Sequence, residues 1–204
     1  MGDRAAAVDG RHLRRQRSQD AVIEAILDLL SAGRAQPTAV LVSERSGVSM
    51  RSIFRLFVDM EALHRAAIAR QSQRVTAMLV PLPSTGPLAD RVAPIVENRA
   101  VIFEAIAPVR RLAVRLAPDS PPIRAELARA SQVFRGQVAE VFAPELVGAA
   151  DAGALLDALD VATSWETWER LRVGQGLDVR AAAAAVTLTV TALGSGARPG
   201  ARAA

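Results

Sequence analysis

Arg51 and Arg55 lie four residues apart, a spacing that puts both guanidinium groups on one side of a helix. Each carries a planar fork of donors that suits the paired acceptors on a guanine edge or the oxygens of a phosphate. Ser49, Met50 and Ser52 surround Arg51 with short or unbranched side chains, the kind of helix start that can enter a major groove. Upstream, the run Arg11-His-Leu-Arg-Arg-Gln-Arg17 supplies a second basic cluster. The chemistry within reach of these groups is recognition of a polyanion.

Bond-breaking chemistry finds no comparable set. Cysteine is absent, so disulfides, thiolate metal ligands and thiol nucleophiles are excluded. The two histidines, His12 and His64, stand fifty-two positions apart, too far in sequence to suggest a metal site. No Gly-x-Ser-x-Gly elbow and no phosphate-binding glycine loop occurs. Asp157 and Asp160 share one side of a helix, where carboxylates ordinarily face water. The expectation is a non-enzymatic protein with no metal and no cofactor.

The elements that would position the arginines follow from periodicity and caps. Residues 1–10 read as a mobile tail. A first helix then carries Val22, Ile23, Ile26, Leu27 and Leu30 on one face until Gly33 stops it. Thr38 caps a short second helix ending near Ser46, Gly47 makes the turn, and Ser49 caps a third from about Met50 to Leu56. Val42, Val48, Ile53 and Phe57 are spaced to form a small shared core, with Ser43 small enough to let the two helices cross. That is helix-turn-helix geometry. Asp59 caps a long fourth helix that runs to about Leu79.

Three prolines and a glycine between Pro81 and Pro87 cannot propagate a helix, so this stretch reads as a linker. Beyond it, helical patterns run over 88–105, 108–116, 121–142, 154–173 and 179–193, and the tail from Gly194 frays. Residues 181–193 carry no charge, so something must bury that helix. The fold class is all-α, with an N-terminal three-helix domain and about nine helices in total.

Charge divides along the chain. All 25 basic residues are arginine, twelve of them against eight acids in residues 1–80 and thirteen against thirteen acids in the remainder. The whole net charge of +4 therefore sits in the first part, as expected for a polyanion reader joined to a neutral sensing or assembling region. The start of the chain lacks the apolar run of a secretory signal, which places the expected location in the cytoplasm, without a membrane partner.

Residues 38–63 resemble the DNA-binding segment of TetR-family transcriptional regulators, with Glu44, Gly47, Val48, Ser49, Phe57, Glu61 and Leu63 where that pattern has them. Residues 164–177, which include Trp165 and Trp168, are similar to the eighth helix and following turn of many members. The resemblance implies a homodimer joined by a four-helix bundle, with a ligand in the C-terminal domain that controls DNA affinity. It also implies two departures: Phe54 stands where members usually have tyrosine, and Met60 where they usually have lysine. Each replacement removes a phosphate contact, which shifts the expected load to the arginines.

The resulting expectation is a ligand-responsive regulator, a repressor by default, that binds double-stranded DNA as a homodimer. Residues 11–60 form the DNA-binding domain and 61–195 the effector-binding and dimerisation domain. The DNA-facing set is Thr38, Ser49, Met50, Arg51, Ser52, Phe54 and Arg55, joined by Arg14, Arg15 and Arg17. Phe103, Phe134, Trp165 and Trp168 are the candidate ligand-facing residues, and they favour a small apolar or aromatic effector. His64 reads as a surface or packing residue. The competing expectation is a helical protein with a degenerate DNA reader that acts at a membrane surface or as an interaction module.

Overall fold

The computed structural model describes the backbone of residues 2–196 and side chains from His12 onward. Within that range the chain is all-helical, with no strand. Its helices are α1 (Gly2–Ser31), α2 (Ala39–Ser46), α3 (Met50–Leu56), α4 (Met60–Met78), α5 (Leu88–Leu116), α6 (Pro121–Val141), α7 (Ala143–Gly148), α8 (Ala152–Ala162), α9 (Trp165–Glu169) and α10 (Val179–Gly196). A π-helical turn, Arg170–Gly174, follows α9 directly.

Two compact units result, and they do not follow chain order. One comprises the chain up to Arg74 together with Pro108–Glu126; the other comprises Val75–Ala107 and the chain from Leu127 on. Helices α4, α5 and α6 each contribute residues to both.

In the first unit the apolar stripe of α1 is buried at Val22, Ile23, Ile26, Leu27 and Leu30, and α1 packs on α2 and α3. Three acids of α1 are held by structural arginines: Asp20 and Glu24 by Arg70, Glu24 also by Arg74, and Asp28 by Arg45 at 3.0 Å. These pairs tie α1 to α4 and α2. Ser120, itself buried, donates to Glu61 Oε1 at 2.8 Å and anchors the start of α6 beside α4. His64 is half-buried on α4, and burial, reinforced by the Arg115 charge, lowers its pKa against the opposing pull of Glu61. His12 is exposed on α1.

The second unit is built around Val92, Ile95, Val96, Ile102 and Phe103 of α5, which meet Val138, Val141 and Phe142, Leu159 of α8, and Val186 and Val190 of α10. A Cβ at Gly194 would lie 3.0 Å from Leu88 Cδ2, so a side chain there would require Leu88 to shift by a few tenths of an ångström where α10 meets α5.

Several expected boundaries are corrected. The backbone of residues 2–10 is helical, a continuation of α1 rather than a tail; the alanines at 5–7 favour helix, and Gly10 weakens it without ending it. Pro108 does not divide α5, because burial of Ile106, Val109, Leu112 and Ala113 on either side offsets the one lost backbone bond. The expected helix over 154–173 is broken at Thr163 and Ser164. Thr163 Oγ1 donates to Leu159 O at 2.8 Å, and Ser164 Oγ accepts from Thr167 N–H at 3.2 Å, so one hydroxyl closes α8 while the other opens α9. Helix α7 is additional, and α10 continues through Gly196; the rest of the expected frayed tail, residues 197–204, lies outside the described residues.

The expectation that α10 is buried is not met within one chain. Leu188 is 74% exposed, and α10 is the one helix among the described residues long and apolar enough to cross a membrane by length and composition.

Candidate nucleic-acid interface

The α2–turn–α3 segment is set by local hydrogen bonds. Thr38 Oγ1 accepts from Leu41 N–H at 3.4 Å to start α2. Gly47 stops it in the left-handed region at φ 69°, a conformation that a side chain would strain, and its N–H donates to Ser43 O at 3.0 Å. Ser43 Oγ reaches across the turn to donate to Val48 O at 2.9 Å. Ser49 then caps α3 by accepting from Ser52 N–H at 3.3 Å. Asp59 caps α4 through Ala62 N–H at 2.7 Å.

Packing decides which face of α3 turns outward. Val42, Ile53 and Phe57 are buried together under α1, and Val48 is half-buried beside them. Because Ile53 and Phe57 point inward, Met50, Arg51, Phe54 and Arg55 are exposed, Phe54 to 46%. An exposed phenylalanine close to two arginines is an apolar surface left open to solvent among the described residues.

A groove of about 510 Å³ runs between α1 and α3, lined by Arg14, Arg15 and Ser18 from α1 and by Ser49, Ser52 and Arg55 from α3, with the backbone turn at Gly47 and Val48 at its edge. Arginines from two segments separated by more than thirty residues in sequence, Arg14 and Arg15 on one side and Arg55 on the other, thus line one concavity. Arg51, Met50 and Phe54 lie on the exposed face of α3 outside the groove lining, Arg17 is exposed further along α1, and Thr38 is committed to its cap. Arg11 carries no side-chain description. Ser18 joins the lining without having been expected; its signal is the position three and four residues beyond Arg15 and Arg14, which places it on their face of α1.

The electrostatics favour an anion. Arg15, Arg17, Arg51 and Arg55 make no ion pair among the described residues, whereas the three acids at the middle of α1 are already matched by Arg45, Arg70 and Arg74. Unpaired positive charge is therefore left on the side occupied by Arg15 and Arg55.

The candidate ligand-facing residues lie in the second unit. Phe103 and Phe134 meet edge-on with centroids 5.5 Å apart, and Phe103 and Trp168 lie at 6.4 Å. Phe103, Trp165 and Trp168 are buried and Phe134 is half-buried. Glu104 accepts from Trp168 Nε1 at 2.8 Å and from Arg172 Nε at 2.8 Å, which locks α9 and the π-helical turn onto α5. Asp157 and Asp160 do not simply face water: Arg135 donates to them at 2.6 and 3.3 Å. In the same unit, Asn98 Nδ2 donates to Met78 O at 3.2 Å, and Gln137 accepts from Arg99. Among the described residues no cluster of three metal-ligating side chains is present.

A scan against protein-family models returned no match, and a search of the curated proteins returned none either.

Proposed function

We propose that this chain is a homodimeric, ligand-responsive transcriptional regulator of the TetR type that binds a palindromic DNA operator and represses by occlusion. The observation that carries this reading is the groove in which Arg14 and Arg15 face Ser49, Ser52 and Arg55, next to the exposed α3 face. In this reading α3 enters the major groove. Arg51 reads a base edge, while Arg14, Arg15 and Arg55 grip phosphates to either side. The phosphate contacts that Phe54 and Met60 cannot make are supplied by these guanidinium groups.

Selection of binding sites from a random DNA pool at stated salt tests the reading, with an approximate palindrome as the expected product. Absence of any enriched sequence would overturn it. On the selected site, Arg51→Ala should cost about 1–3 kcal/mol and relax preference at one base pair. Equal loss on every sequence would reassign Arg51 to phosphate.

Dimerisation is supported by what α8 and α10 leave uncovered. These helices pack on each other, yet Leu188 and, at 64%, Val161 stay exposed. A second copy applied to the same face would bury both in a four-helix arrangement. Leu188→Glu should therefore yield a monomer in sedimentation and weaken operator binding by removing the second half-site. A variant that sediments like the parent would place the dimer contact elsewhere.

Recognition helices of a dimer must face successive major grooves about 34–36 Å apart. An effector that favours another spacing, with a coupling of about 1–3 kcal/mol, changes DNA affinity about 5- to 150-fold. Helices α4, α5 and α6 are the covalent routes for that coupling, since each contributes residues to both units.

The second reading, association with a membrane surface, is favoured by the apolar character of α10, of which only 22% is buried. Binding to anionic vesicles without a sequence-selective DNA shift would support it over the first.

A further inference from the structure

Arg99 is 1% exposed, at the centre of α5 and within the second unit. Its Nη1 donates to Gln137 Oε1 at 2.7 Å, its Nη2 donates to Phe134 O at 3.1 Å, and the Phe134 ring covers the guanidinium at 4.4 Å. These partners are all neutral. Its Nε–H is buried and has no acceptor. No carboxylate forms an ion pair with Arg99 among the described residues. Asp160, whose charge acts on it from a distance, is engaged by Arg135.

The contrast with Arg91, on the same helix, is instructive. Arg91 is equally buried, but Glu145 meets its guanidinium directly, and Gly86 O and Val141 O accept its other hydrogens. A buried cation ordinarily comes with such a partner, because desolvating an unmatched charge costs stability. Arg99 keeps its charge with one donor unused. Burial pushes its guanidinium down to about 10, with Asp160 opposing, and it stays protonated at neutral pH.

The surroundings define what would complete it. Phe103, Phe134 and Trp168 form a continuous aromatic cluster, and the Phe134 ring lies directly on the guanidinium. The two side chains that cover Arg99, Phe134 and Gln137, both belong to α6 and are both half-buried, so Arg99 lies beneath a layer one side chain thick that is itself partly open to solvent. The Gln137 carboxamide oxygen sits where a carboxylate oxygen would make a stronger, charge-assisted bond.

We propose that Arg99 is the recognition residue of an anion site in the second unit, and that its ligand is a monocarboxylate with an aromatic or apolar body. The carboxylate displaces Gln137 and takes the Nε–H, while the body rests against Phe103 and Phe134. This site rests on the reading of the chain as an effector-responsive regulator, and it gives that effector a charge and an apolar body. Displacement of Gln137 acts on α6, whose first turn, with buried Ile123, belongs to the DNA-reading unit.

The test is calorimetric titration of the full chain, without DNA, by phenylacetate, cinnamate and hexanoate, each beside its neutral amide. At least one carboxylate should bind at least about tenfold more tightly than its amide. Arg99→Met should weaken that binding about 10- to 150-fold, the range a charge-assisted hydrogen bond spans, while its ligand-free melting midpoint stays level or rises. Gln137→Ala keeps the arginine and removes the internal competitor, so it should bind the carboxylate more tightly and serves if Arg99→Met does not fold. Equal affinity for acid and amide, retained affinity in Arg99→Met, weaker or unchanged affinity in Gln137→Ala, or no binding by any of the three acids would overturn the proposal. Operator binding by the ligand-free protein, measured in parallel, separates this failure from failure of the DNA-binding reading.

Discussion

Replacing Arg14 and Arg15 together by glutamine should lower the salt dependence of operator binding by about 3.6 in log–log slope for a dimer, since each lost phosphate contact removes about 0.9. Across the fourfold salt range from 50 to 200 mM, a slope of that size amounts to about a hundredfold in affinity. The expectation rests on position. Both residues are exposed on α1, yet they line the same groove as Ser49, Ser52 and Arg55, so a backbone running along α3 passes between them. Arg17→Gln is the internal control: it removes one of the same charges from the same helix but lies outside the groove lining, and its effect should be less than half that of the double variant. Fluorescence anisotropy with the selected site over a salt series reads both quantities. An unchanged slope in the double variant would mean that α1 does not touch the duplex.

The largest expected loss of stability follows from Arg91→Ala. Arg91 donates to both oxygens of Glu145, whose side chain is itself only 9% exposed, and also to Val141 O at 2.5 Å and Gly86 O at 3.1 Å. One guanidinium thus joins the Pro-rich stretch, the end of α6 and the body of α7. Removing it leaves a buried carboxylate without a counter-charge and two carbonyls without a donor, at a cost of about 3–5 kcal/mol. Chemical denaturation measures that loss directly. Replacing both partners by apolar residues, Arg91→Met with Glu145→Leu, should recover most of it, because the unmatched charge is then gone. A single-variant cost below about 1 kcal/mol would show that water or a neighbouring cation reaches Glu145.

These two arginines mark where sequence reasoning stops. Arg91 and Arg99 read as two more charges on an amphipathic helix, and nothing in either residue announces burial. A signal did exist for Arg99: it falls three residues after Val96 and four before Phe103, inside the apolar stripe of α5. Periodicity identifies the face, but whether a charge on that face finds partners depends on which helix lies opposite.

The aromatic residues followed the same pattern. Phe103, Phe134, Trp165 and Trp168 read from the sequence as a ligand-facing set, but the burial of Phe103, Trp165 and Trp168 and the guanidinium beneath Phe134 were not legible, since α5 and α6 meet there only after folding.

By itself, the sequence determined features whose cause lies within about four residues, namely the caps at Thr38, Ser49 and Asp59, the left-handed turn at Gly47 and the buried stripe of α1, though the equally local break at Thr163 and Ser164 reads through as continuous helix. Hydrogen bonds of that range form between neighbours whatever the rest of the chain does. Only the tertiary structure decided that α5 passes through Pro108, that Arg14 and Arg15 come to face α3, and that Arg91 is matched by a carboxylate while Arg99 is not. Those outcomes depend on surface buried between segments far apart in the chain, and burial is shared by both partners in a contact.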